Sequence, residues 1–142
     1  MAARLKTRFL TVCLDANVYV SGLGFGGRPL EVIHKALNQD FSLVISETIL
    51  SELKRNLINK IGVSSEKVER FLQDILNMAT IYEPKGQLHL IKHKSDNLIL
   101  ETALMGFCDV LVTGDKKHLL PLGSVGGLVI ETPSIFLQRW QT

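Results

Sequence analysis

Apolar runs of strand length alternate with segments of helical period along nearly the whole chain, and this alternation limits the folds open to it more than any other feature. The apolar runs are Phe9–Leu14, Ser42–Ile45, Thr80–Tyr82, Asp109–Thr113 and Leu128–Ile130. Between them, helices are expected over Pro29–Asn38, from Ser46 to about Asn59, along "VERFLQDILNMA", from Ser95 to about Phe107 and through "TPSIFLQRW". Pro29 and Pro133 suit first helical turns, and Ser46 and Ser95 suit helix caps. Continuous apolar strands, each followed by a helix, indicate a central, mainly parallel sheet covered on both faces, a three-layer α/β/α fold. No repeat or linker divides the 142 residues, which read as one domain, 1–142.

Composition narrows the partners. A formal charge of +2 neither demands nor excludes a nucleic acid, so any attraction to phosphate has to be local. Three short clusters offer it: Lys54/Arg55, Lys92/His93/Lys94 and Lys116/Lys117/His118. No apolar run approaches the ~20 residues that span a bilayer. The start "MAARLKTRFL" shows neither a secretory apolar stretch nor a cleavage site, so a cytoplasmic location is expected, with no membrane partner. Cys13 and Cys108, with histidines scattered and no CxxC or HxxxH spacing, argue against a zinc site and against a disulfide.

The first strand ends on an aspartate, Asp15, and an ionised carboxylate there is costly to desolvate without compensation. In a parallel α/β sheet the carboxyl ends of the strands gather along one edge, where ligands bind. Asp115, in "LVTGD", follows a later strand and belongs to that edge. Asp96 opens the helix leading into that strand, and Glu52 lies about two turns into the helix after the second strand. Each acid alone has an ordinary explanation: a cap for Asp15 and Asp115, an ion pair with Arg55 for Glu52, a first-turn carboxylate for Asp96. Together, crowded carboxylates repel and raise one another's pKa unless a cation intervenes. A hard divalent ion such as Mg²⁺ or Mn²⁺ suits oxygen donors and favours phosphate chemistry.

The stretches "LDANVYVSGL", "LVISETILSELKRNL", "SDNLILETAL" and "VLVTGDKKHLL", in this order, resemble the PIN-domain proteins. More narrowly, the chain is similar to bacterial PIN proteins that act as toxin components of toxin–antitoxin pairs, from about Thr11 to Leu137. The resemblance implies a PIN-like, Rossmann-like fold and a metal-dependent ribonuclease. It matches Asp15, Glu52, Asp96 and Asp115 to the family's catalytic, metal-holding carboxylates, with one or two Mg²⁺ or Mn²⁺ ions as cofactor. Asn17 matches a polar residue that orients the acids, and Thr113 supports Asp115. The implied reaction is in-line attack of metal-activated water on an RNA phosphodiester, leaving 5′-phosphate and 3′-hydroxyl ends. An RNA substrate, an antitoxin partner and a homodimer belong to the same implication. Two positions depart from the pattern: His93 stands where relatives often carry another acid, and Ala16 where a threonine is frequent.

Two other functions compete. "LDANVYVSG" superficially resembles the motif of phosphatases with a nucleophilic aspartate, but Asn17 replaces the second aspartate that such enzymes use as acid and base. The other is a catalytically weak or inactive PIN module that binds RNA or a protein partner, since a fold does not guarantee activity.

Overall fold

The computed structural model describes residues 10–139. Phe9 and Trp140, the outer ends of two expected elements, lie outside them. The central strand, β1 (Thr11–Leu14), is apolar and, over Val12–Leu14, fully buried. It therefore carries a parallel neighbour on each side: β2 (Ser42–Ile45) with Val12 opposite Leu43, and β4 (Val110–Val112) with Leu14 opposite Val112. β3 (Thr80–Ile81) extends the sheet parallel to β2, and β6 (Leu128–Glu131) parallel to β4. A two-residue edge, β5 (Ser124–Val125), pairs antiparallel with β6, giving the order β3-β2-β1-β4-β6-β5. The sheet is thus mainly parallel, as expected, with one short antiparallel edge.

The chain leaves β1 toward β2 and β3, then crosses back to build β4 and β6 on the other side. The strand order reverses between β1 and β4, which makes that gap the switch point of the sheet. One backbone bond beyond each ladder extends it past the strand ends: Asp15 N–H to Val112 O at 3.0 Å, and Thr113 N–H to Glu131 O at 2.9 Å.

Among the described residues, six α-helices accompany the sheet: α1 (Ala16–Phe25), α2 (Gly27–Leu37), α3 (Glu47–Asn56), α4 (Ser65–Leu76), α5 (Lys94–Met105) and α6 (Pro133–Arg139). α5 packs on β1, β2 and β4, whereas α1 packs against α2 and α3, and α2 against α6. Ser46 caps α3 as expected, accepting from Ile49 N–H at 3.0 Å. α3 gives way at Leu57–Ile61 to a π-helical turn, so the expected single helix to Asn59 is two pieces.

Two expectations need correction. The ordinary reading of Asp15 as a cap expects only a short helix starting near Asn17, yet α1 runs for 10 residues. Its valines and glycines are poor helix formers, and its stability comes from packing. Gly22 lets α2 approach so closely that a Cβ there would lie 2.5 Å from Ile33 Cδ1 and 2.9 Å from Leu30 N. α1 and α2 then part at Gly26 and Gly27, with φ of 78° and 71°, a backbone that glycine alone adopts freely. The second correction concerns Ser95, which does not cap α5. The helix begins at Lys94, with His93 in the cap position and no side-chain cap bond. The preceding loop is held instead by Asn97, whose Oδ1 accepts from Leu90 and Ile91 N–H at 3.0 and 2.9 Å. Glu101 adds to this by accepting from the amides of Lys85, Gln87 and Leu88.

Candidate metal centre

Asp15 begins the site. It is the N-cap of α1, although its bond from Asn17 N–H to Oδ1 is long at 3.5 Å. Its other oxygen, Oδ2, accepts from the Thr113 hydroxyl at 2.8 Å. That same hydroxyl accepts from Asp115 N–H at 3.0 Å. A buried threonine at the end of β4 therefore ties the acid after β1 to the backbone of the acid after β4. Asp115 in turn caps its own turn: Oδ1 accepts from Lys117 and His118 N–H, both at 3.1 Å. Asp15 has one oxygen held by a short bond and Asp115 has one held by two amides, which orients each carboxylate and leaves its second oxygen less committed.

The first turn of α5 delivers Asp96 to the same place. His118 Nδ1 lies 3.3 Å from Asp115 Oδ2 and 3.5 Å from Asp96 Oδ2. One ligand atom from each of Asp96, Asp115 and His118 lies within 4.8 Å of the others. The His93 ring stands edge-on to His118, with centroids 4.1 Å apart. Glu52, half-buried on α3, is near enough for its charge to act on Asp15. It lines a cleft with Ser51, Arg55 and Ser95, at the N-terminal turn of α5.

Electrostatics bear out the crowding. Burial raises the Asp15 carboxyl to about 6, the charges of Glu52 and Asp96 push the same way, and the bonds from Thr113 and Asn17 oppose them. Asp96 is also raised, first by burial and then by the charge of Asp115, with His118 and His93 opposing. Asp115 is lowered: burial pushes it up, but the amides of His118 and Lys117 and the His118 ring outweigh that. A half-buried group of oxygen donors, with Asp15 and Asp96 raised, fits a divalent cation. Cys13 and Cys108 are both buried and outside any disulfide.

A PIN-domain family model matches residues 11–117. The chain belongs to the PIN-domain family. Among solved structures, one similar chain comes from "VapBC2 from Rickettsia felis bound to a DNA fragment from their promoter", with a TM-score of 0.61 at 19% identity. That match covers 87% of this chain and 98% of the other, and shows a shared fold. No curated protein sequence matches the chain.

Within this PIN domain, the ligand atoms that converge among the described residues are those of Asp96, Asp115 and His118; Asp15 joins them through Thr113, and Glu52 and Asp96 are near enough for their charges to act on it. Thr113 does more than the sequence suggests, because it joins two of the acids. Asn17 is exposed and lines a second cleft with Ser21, Gly114 and Asp115. The residue that sequence reasoning missed is His118, which stands out there only as part of a basic cluster. Its place three residues after Asp115, inside the turn that Asp115 caps, is the signal that could have found it. Lys54 of another basic cluster is paired with Glu69 at 2.5 Å. Among the described residues, no helix is long and apolar enough to cross a membrane.

Proposed function

We propose that this PIN domain is a metal-dependent endoribonuclease that hydrolyses RNA phosphodiester bonds, and that it is the toxin of a toxin–antitoxin pair. The observation that carries the reading is the Thr113 hydroxyl, bonded to both Asp15 and Asp115, which holds two distant acids at one place on the ligand-binding edge. Asp15, Glu52, Asp96 and Asp115 would hold Mg²⁺ or Mn²⁺. The cation, when bound, supplies Lewis-acid activation of water and neutralises charge at the scissile phosphate. Thr113 keeps one oxygen of Asp15 engaged, and the amides of Lys117 and His118 do the same for Asp115, so each carboxylate is held in one orientation at that point of the sheet edge. The clefts lined by Asn17, Ser21 and Gly114 and by Ser51, Arg55 and Ser95 flank that point and receive the RNA backbone. Exposed Lys116 and Lys117 supply local positive charge. RNA specificity rests on shape and exposed bases rather than on a code in the chain.

The likeness to a chain of the VapBC2 complex supports an antitoxin partner that covers the acidic edge. A homodimer and a cytoplasmic location complete the proposal. A second reading, a weak or inactive PIN module that binds RNA or protein, is favoured by His93: it stands where relatives often have an acid, and packs on His118. One assay separates the two. Purified protein is incubated with mixed RNAs and Mn²⁺ or Mg²⁺, with and without EDTA, beside Asp15→Asn and Asp115→Asn. The nuclease reading expects cleavage, with 5′-phosphate ends, that EDTA and either substitution abolish. RNA binding without cleavage supports the module, and cleavage that survives both substitutions refutes the site.

A further inference from the structure

Among the described residues, His118 is the side chain grouped with Asp96 and Asp115 as a possible metal ligand that the carboxylate reading leaves unused. Its Nδ1 stands 3.3 Å from Asp115 Oδ2 and 3.5 Å from Asp96 Oδ2. An imidazolium bonded firmly to one carboxylate would sit closer, at about 2.7–2.9 Å. Instead the nitrogen is shared almost evenly between two oxygens. Donors at about 2.1 Å from an octahedral cation lie about 3 Å from their neighbours. The separations from Nδ1 to the two oxygens are thus already close to that of adjacent donors around one ion, and one ligand atom from each of the three residues lies within 4.8 Å of the others.

Three features fix the imidazole there. The His118 N–H bonds to Asp115 Oδ1 at 3.1 Å, which closes the turn. Leu120 N–H bonds to Asp115 O at 3.0 Å, which extends it. The His93 ring abuts His118 edge-on, at an interplanar angle of 65°. Glu101 and Asn97 in turn fasten the loop leading to His93 onto α5. The ring is therefore positioned by backbone and packing, rather than by an ion pair alone.

We infer that His118, through Nδ1, is a protein ligand of the cation beside Asp96 and Asp115, and that the site favours a first-row transition ion such as Mn²⁺ over Mg²⁺. This rests on the proposed metal site. Mg²⁺ is bound through oxygen, whereas imidazole suits transition ions. His93 is a positioning residue that buttresses the His118 ring without reaching the ion.

Weakened binding alone does not distinguish a ligand from a residue behind the ligands, because loss of an outer partner also costs about 10–100-fold in affinity. Two other readouts do. Pulsed electron paramagnetic resonance of Mn²⁺ bound to the full chain should show coupling to an imidazole nitrogen. Protein labelled with ¹⁵N-histidine should convert that signal, a result independent of how any variant folds. The coupling should persist in His93→Phe and vanish in His118→Asn. By calorimetry, His118→Asn should lower the Mn²⁺-to-Mg²⁺ affinity ratio by roughly tenfold, whereas loss of an outer residue would weaken both ions in parallel. Saturable Mn²⁺ binding without nitrogen coupling overturns the inference and leaves the proposed nuclease site standing. Coupling that follows His93 instead also overturns it. No saturable binding of Mn²⁺ refutes the metal site and the inference together.

Discussion

Replacing Asp15 with asparagine should stabilise the metal-free protein at neutral pH, opposite to the usual effect of a buried polar substitution. Asp15 is 4% exposed, and burial with the charges of Glu52 and Asp96 raises its carboxyl from 3.8 to about 6. Each pKa unit corresponds to about 1.4 kcal/mol, so ionising Asp15 costs the folded state roughly 3 kcal/mol more than the unfolded chain. The sign follows from the raised value. Well below 3.8 the carboxyl is neutral in both states and nothing is lost. As pH rises toward 6 the penalty grows, and above that it is constant. Asparagine keeps the shape, lacks the charge and can still accept the Thr113 hydroxyl. The expected gain is about 1–3 kcal/mol at about pH 7.5 and under ~1 kcal/mol at about pH 4. Urea unfolding in EDTA at both pH values measures it. A variant less stable than wild type at the higher pH, or an equal difference at both, would refute the reasoning. Saturating Mn²⁺ should reverse the order, because only wild type keeps the full acidic set and gains binding energy.

Thr113→Val removes the hydroxyl that serves both aspartates, and should cost about 1.5–3 kcal/mol for the bond to ionised Asp15. The loss should be larger at neutral than at acid pH in the same urea assay, and a loss that ignores pH would count against the bridge. Gly22→Ala puts a Cβ 2.9 Å from the Leu30 nitrogen and 3.0 Å from the Pro29 carbonyl carbon, backbone that cannot step aside. Despite the better helix propensity of alanine, unfolding should show a loss of about 1–3 kcal/mol, and a gain would refute the close approach of α1 and α2. The Glu101 carboxyl is raised by burial but lowered on balance by the amides of Lys85, Leu88, Gln87 and Gly86. Its contribution is therefore present above its ordinary value of 4.5 and lost as pH falls through the lowered one. Glu101→Gln should speed amide hydrogen exchange at Lys85, Gln87 and Leu88, and unchanged exchange there would contradict the clamp.

The sheet was legible because its inner strands are apolar on both faces, and β2 runs over Ser42–Ile45 as expected. Strand-to-helix alternation then placed Asp15 and Asp115 on one edge without any contact being known. The length of α1 was not legible, since "ANVYVSGLGF" carries few strong helix formers and no clean stripe, and it is helical because α2 and α3 pack on it. Ser95 was misread because a serine near a helix start looks like a cap, whereas the bonds of Asn97 and Glu101 to the preceding loop decide where α5 begins. β5 is two residues long and exists through its pairing with β6, a signal too short to read. His118 was hidden for a different reason. Its neighbours in sequence are lysines, and only the fold brings Asp96 across from α5 to meet it.

The central claim is that four acids distant in sequence form one cation site. Calorimetric titration of Mn²⁺ into wild type, Asp15→Asn, Glu52→Gln, Asp96→Asn and Asp115→Asn tests it most directly. Saturable binding by wild type, weakened in every one of the four variants, is the expected result. Binding that none of the four substitutions changes, or wild-type protein that binds no Mn²⁺, would contradict it.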